Sequence, residues 1–109
     1  FALVFCKNDE RELEALKIKQ LFDEGNYIEV IKYSEILMKK YPSSKSGYLI
    51  MISVAYQQLG NLEMTKFYIK EAIELDNSLG ENYANLGVIY FNEKNYKGSL
   101  PYLLEGLEK

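Results

Sequence analysis

The sequence of 109 residues contains no histidine, no tryptophan, one cysteine, two prolines and one arginine against twelve lysines. Without histidine the commonest general base and the commonest metal ligand are gone, and one cysteine cannot close a disulfide within the chain. The expectation is a protein that is not an enzyme, with no catalytic set, no cofactor and no metal. The seven glycines are scattered, one per turn or packing contact, so no glycine-rich phosphate loop is formed. No apolar run approaches the ~18 to 20 residues that a membrane-spanning helix needs. Basic side chains number 13 and acidic ones 16, a net charge of −3. That is the wrong sign for a phosphate backbone, so nucleic acid is not an expected partner.

What remains is a globular composition, 48% hydrophobic and 14% aromatic, with ten tyrosines, twice the phenylalanines. Acidic neighbours occur at Asp9-Glu10, at Asp23-Glu24 and among Glu71, Glu74 and Asp76. They are read as solvated helix faces or ends, because paired carboxylates do acid/base work only when burial or mutual repulsion splits their pKa values. Glu12, Glu14, Asn92 and Asn95 lack the spacing of a metal loop.

The sequence begins at Phe1 and not at a methionine, and is expected to be a piece or a processed form of a longer chain. Residues 1–9 open with the apolar run Phe1 to Phe5, then Cys6, then polar residues. They are read as an N-terminal extension, an apolar chain end, or the tail of a preceding element. A further alternative is a signal-peptide region reaching a lipoprotein-type cysteine, since Leu3 lies three before Cys6, although Phe5 is bulky where such sites want a small residue. The compartment stays open: cytoplasm is the default without disulfides, with a lipid-anchored or secreted form through Cys6 as the alternative.

A repeat organises the rest. Residues 46–75 laid over 80–109 match at Val54/Val88, Tyr56/Tyr90, Asn61/Asn95, Tyr68/Tyr102, Glu71/Glu105 and Glu74/Glu108. A step of 35 residues brings Gly25-Asn26-Tyr27 over Gly60-Asn61-Leu62, with Lys94-Asn95-Tyr96 as a third copy, and Tyr33, Tyr68 and Tyr102 then fall into register. Each copy reads as two amphipathic helices around a short turn. In the second, Leu49, Ile52, Tyr56 and Leu59 recur at helical spacing, and Leu62, Phe67, Ile69, Ala72, Ile73 and Leu75 continue it. Helices are expected near 10–24, 27–41, 46–59, 62–76, 80–93 and 96–108. Gly-Asn suits the C-terminal caps, and Ser43, Ser44 and Ser78 are expected to cap the following N-termini. Pro42 stops the second helix, and Pro101 is expected close to the first turn of the last one, with a mild kink.

The pattern resembles the tetratricopeptide repeat. Tyr83, Leu86-Gly87 and Tyr90, then Tyr96, Ser99, Leu103 and Gly106, match the family's helix-pair pattern in the third copy, and Leu49, Ile52, Ser53, Tyr56, Gly60, Thr65, Ile69 and Ala72 match it in the second. The first copy keeps Leu21, Gly25, Tyr27, Val30 and Pro42 but carries Ile18 and Leu37 where small residues are usual. The resemblance implies one all-α domain over 1–109: repeats at 10–45, 46–79 and 80–109, three antiparallel helix pairs stacked as a right-handed α-α superhelix.

It also implies where a ligand would sit. First-helix residues that face the concave side are Lys19 and Phe22, then Ile50, Met51, Val54, Gln57 and Gln58, then Glu81, Asn85, Val88, Phe91 and Asn92. Family members that clamp the C-terminal carboxylate of heat-shock chaperones use lysine, asparagine, asparagine, lysine and arginine, in that order, where this sequence has Ala15, Lys19, Met51, Glu81 and Asn85, and none of the five fits. The expected function is a protein-protein interaction scaffold with a peptide or helical segment in the groove, and the expected partner is a protein or peptide. One alternative is self-association as a homo-oligomer, through the flank at Leu100, Leu104 and Leu107 or through the N-terminal apolar segment. Another is the binding arm of a longer enzyme.

Overall fold

The computed structural model describes residues 2–108, and of their side chains residue 10 and residues 12–108. The helices are α1 (Ala2–Asp23), α2 (Tyr27–Lys40), α3 (Lys45–Gln58), α4 (Leu62–Leu75), α5 (Gly80–Asn92) and α6 (Tyr96–Glu108), with a 3-10 turn over Pro42–Ser44 between α2 and α3. Consecutive helices pack as pairs, α1 with α2, α3 with α4 and α5 with α6, and the pairs join through α2 against α3 and α4 against α5. The long axis of 55 Å against 29 and 20 Å follows from stacking pairs in a row. The all-α helical repeat is therefore as the sequence pattern implies.

α1 starts at Ala2, eight residues ahead of the expected boundary. No glycine or proline occurs between Ala2 and Glu24, so nothing in the sequence stops the helix there. The readings that rest on Phe1 and on the side chains of residues 2–9, Cys6 included, lie outside the described residues.

All three turns use one hydrogen-bond scheme. Asn26 N–H donates to Leu21 O and Gly25 N–H to Phe22 O, and the scheme repeats with Asn61 to Tyr56 and Gly60 to Gln57, then Asn95 to Tyr90 and Lys94 to Phe91, at 2.9 to 3.0 Å. This is a Schellman cap, which needs a left-handed residue. Gly25 (φ 75°) and Gly60 (φ 81°) supply it without strain, while in the third turn it is Lys94 (φ 63°). A non-glycine residue there costs about 1 kcal/mol. Lys94→Gly is accordingly expected to raise stability by about that amount and the thermal midpoint by roughly 4 °C. Thermal unfolding followed by circular dichroism checks it, and a lowered midpoint would contradict the strain.

The N-terminal caps differ from expectation. Asn61 Oδ1 accepts from Met64 N–H at 3.2 Å and Asn95 Oδ1 from Gly98 N–H at 3.0 Å, so the turn asparagine that ends one helix starts the next. Ser43 and Ser44 lie within the 3-10 turn, and Ser44 makes no side-chain cap to α3. The Ser78 hydroxyl donates instead to Asp76 Oδ1, and α5 begins after Leu79 without a side-chain cap. Pro101 is the sixth residue of α6, past the first turn, so the Lys97 carbonyl loses its helical donor while the helix runs on to Glu108.

One core cluster joins α1, α2 and α3 through Ile18, Val30, Ile31, Leu37, Ile52 and Ala55. The other joins α4 and α5 through Ile69, Leu86 and Ile89, with Ile73, Tyr90 and Tyr102 against it. Small residues set the helix spacing. A Cβ on Gly87 would lie 2.8 Å from the Leu103 side chain, and one on Gly106 would lie 3.1 Å from Gly80 O and 3.2 Å from Ala84 N. In the first copy the equivalent positions hold buried Ile18 and Leu37. Along the described residues α1 and α2 meet less closely than the helices of the other pairs do. A tie at the far end compensates: Lys40 Nζ donates to Glu10 at 2.6 Å and to Glu14 at 2.9 Å, fastening the end of α2 to α1. The bond from Lys40 holds the Glu14 carboxyl below its ordinary range.

Candidate functional site

The first helices of the second and third pairs, α3 and α5, form the walls of a cleft. Along α3, residues 50, 53, 54 and 57 recur at helical spacing and so share one face, and 85, 88 and 89 do the same on α5. These are Ile50, Ser53, Val54 and Gln57 opposite Asn85, Val88 and Ile89, with Ile69 of α4 closing a cleft of about 130 Å³.

Its floor is made by Ser53, Ile69 and Ile89, which are 1%, 4% and 4% exposed. The Ser53 hydroxyl donates to Ile50 O at 2.6 Å, so its polarity is spent inside α3. Higher up, Val54 is half-buried, and Val88, Gln57 and Asn85 are exposed. Among the described residues no charged side chain lines the cleft. Glu81, four residues before Asn85 and therefore on the same side of α5, is exposed.

Of the sequence-derived groove residues, the cleft brings together Ile50, Val54, Gln57, Asn85 and Val88. The others lie elsewhere. Met51 and Phe22 pack against the first core cluster, and Phe22 meets Tyr27 edge-on with ring centres 5.8 Å apart. Phe91 meets Tyr96 in the same way at 5.1 Å, so a ring read as outside the intra-pair core belongs in part to the α5–α6 pair. Both contacts span a Schellman turn at a spacing of five residues, a signal present in the sequence that was not used. Lys19 pairs with Asp23 at 3.3 Å on the surface. Gln58, Glu81 and Asn92 are exposed and do not line the cleft. Sequence reasoning missed the floor, because Ser53 and Ile69 read as packing positions and the repeat pattern does not single out Ile89.

The cleft walls are held from behind. Tyr56 stacks on Tyr68 (5.7 Å, 10°) and Tyr90 on Tyr102 (5.5 Å, 3°), the same pair in two successive copies. Lys66 bonds Glu63 and Glu93, each at 2.9 Å, and its ammonium lies 4.8 Å from the Tyr90 ring centre. Lys70 donates to the Tyr90 hydroxyl at 2.8 Å, a bond that raises the lysine pKa. The stacked tyrosines fix α3 against α4 and α5 against α6, and the two lysines fix α4 against α5. On α6 the positions equivalent to Lys66, Lys70 and Ile73 hold Leu100, Leu104 and Leu107, 58%, 52% and 85% exposed. Among the described residues no group of three or more acidic, histidine or cysteine side chains converges as metal ligands would, and no helix is long and apolar enough to cross a membrane.

A model of the tetratricopeptide repeat matches residues 46–79 and 80–108, the pairs α3–α4 and α5–α6 that build the cleft. The chain belongs to the tetratricopeptide repeat family. A tetratricopeptide repeat array is a protein-protein interaction scaffold, and protein partners follow from that membership. The chain is also 34% identical over 73 residues to the UDP-N-acetylglucosamine--peptide N-acetylglucosaminyltransferase of Caenorhabditis elegans, a match that covers 67% of this chain and 6% of that protein.

Proposed function

We propose that this tetratricopeptide repeat chain holds a segment of a partner protein in the cleft between α3 and α5, with no catalysis, metal or cofactor of its own. The supporting observation is the convergence there of Ile50, Val54 and Val88 over an apolar floor, beside the exposed amides of Gln57 and Asn85. Apolar side chains anchor a segment, and amides match the N–H and C=O groups of its main chain whatever its sequence. A chaperone-tail carboxylate is not the ligand, because no basic side chain lines the cleft and Glu81 would repel it. The negative net charge likewise speaks against nucleic acid.

The test is mutational. Peptides selected from a random display library on the wild-type chain are expected to bind Val54→Glu and Val88→Glu at least roughly tenfold more weakly, since a carboxylate in the cleft must be desolvated without a partner. Far-UV circular dichroism is expected to be unchanged. Undiminished binding to both variants removes the cleft as the site.

A second reading is supported by the exposure of Leu100, Leu104 and Leu107 on one flank of α6: self-association through that flank. A molar mass that stays monomeric across a concentration series sinks it. A third is supported by the relative that is named as acting on peptides, of which the matched stretch is 6%. In that reading the array is the substrate-gripping arm of a longer enzyme, with catalysis outside residues 1–109.

A further inference from the structure

Resting on the cleft as the binding site, we infer that the segment it takes docks by a single aliphatic side chain, leucine, isoleucine or valine, with a lysine or arginine beside it. Size comes first. At about 130 Å³ the cleft is well under the ~300 Å³ at which small-molecule and cofactor pockets begin. It is close to the ~150 Å³ apolar cavity that accepts benzene, so it has room for one side chain.

The floor decides the chemistry of that side chain. Ile69 and Ile89 offer only hydrocarbon, and the Ser53 hydroxyl is already bonded to Ile50 O. An anchor carrying a charge or an amide would give up water and gain no partner there, whereas an aliphatic one gains by leaving water. The rim fits the main chain on either side, because the Gln57 and Asn85 amides are exposed and bond to no other side chain among the described residues.

Charge complementarity sets the neighbour. Glu81 stands one helical turn before Asn85, exposed and without an ionic partner among the described residues. With no charged group in the cleft itself, this carboxylate is the ionised group nearest Asn85 along its face of α5, and it favours a basic residue adjacent to the anchor. The pairing is exposed and weak, worth about threefold in affinity and screened by salt.

The experiment uses dodecapeptides selected by display on the 109-residue chain and titrated by fluorescence anisotropy. Selected peptides are expected to share one aliphatic position, and its replacement by aspartate to weaken binding roughly thirtyfold. Replacing the adjacent basic residue with glutamine is expected to cost about threefold on the wild-type chain and nothing on Glu81→Gln. Peptides that need the cleft, being lost on Val54→Glu, but tolerate aspartate at every position overturn the inference and leave the cleft as the site. Peptides indifferent to Val54→Glu, or a selection that yields none, overturn both.

Discussion

Ile52→Ala is expected to lower the stability of the chain by about 2–5 kcal/mol, the range for removing a buried aliphatic side chain and leaving a cavity. Ile52 is 0% exposed and sits on α3 in the cluster that α1 and α2 supply with Ile18, Val30, Ile31 and Leu37. In a stacked array, stability is a sum of unit terms and nearest-neighbour interfaces, so a cavity at this joint weakens the attachment of the whole first pair. That pair is the least able to bear it, because along the described residues its own helices meet less closely than those of the other pairs. Against a typical total of about 5–15 kcal/mol, the loss is a large fraction. Urea unfolding followed by circular dichroism measures it, and a loss below about 1 kcal/mol would show that the joint repacks or is not formed by Ile52.

The second large effect is expected from Gly87→Val, about 3 kcal/mol of destabilisation at the upper end of the usual overpacking range. The first added carbon would already stand 2.8 Å from Leu103 Cγ and Cδ2 and 3.2 Å from the Leu103 backbone nitrogen. Leu103 can turn its side chain aside, but the backbone of α6 cannot yield without opening the pair. The buried Ser99 hydroxyl, which donates to Gly87 O at 2.8 Å, would be pulled away with it. Replacing glycine inside a helix gains at most ~1 kcal/mol of propensity, which is too little to offset the clash. Gly47→Val is the control on α3, where a Cβ meets nothing within 4 Å. Thermal midpoints of the two variants separate close packing from backbone propensity, and equal midpoints would contradict the close approach at Gly87.

The helix pairs were legible because their spacing is written twice over, in apolar periodicity and in the Gly-Asn, Gly-Asn and Lys-Asn turns. The start of α1 was not. A helix boundary shows in sequence only where a cap, glycine or proline marks it, and the cap-type residues Asn8 and Asp9 mark a start that the helix runs through. Residue preference alone points to serine caps, but one asparagine can end a helix through its backbone and begin the next through its side chain, as Asn61 and Asn95 do. For the cleft, the repeat register placed Ile50, Val54, Gln57, Asn85 and Val88 on the right faces. It could not separate them from Met51, Phe22 and Phe91, because a few tens of degrees around a helix divides a groove residue from one that packs on the core or on a turn tyrosine. Register along a helix is a property of sequence, whereas the depth of a cleft depends on how far apart two helices stand.

The most direct measurement is the amide and methyl spectrum of the isotope-labelled chain during titration with a display-selected peptide. Signals of Ile50, Val54, Gln57, Asn85 and Val88 are expected to shift together and saturate at one affinity, while those of Leu100, Leu104 and Leu107 stay in place. Shifts concentrated on the α6 leucines, with the α3 and α5 residues unmoved, would contradict the cleft as the binding site and favour the flank.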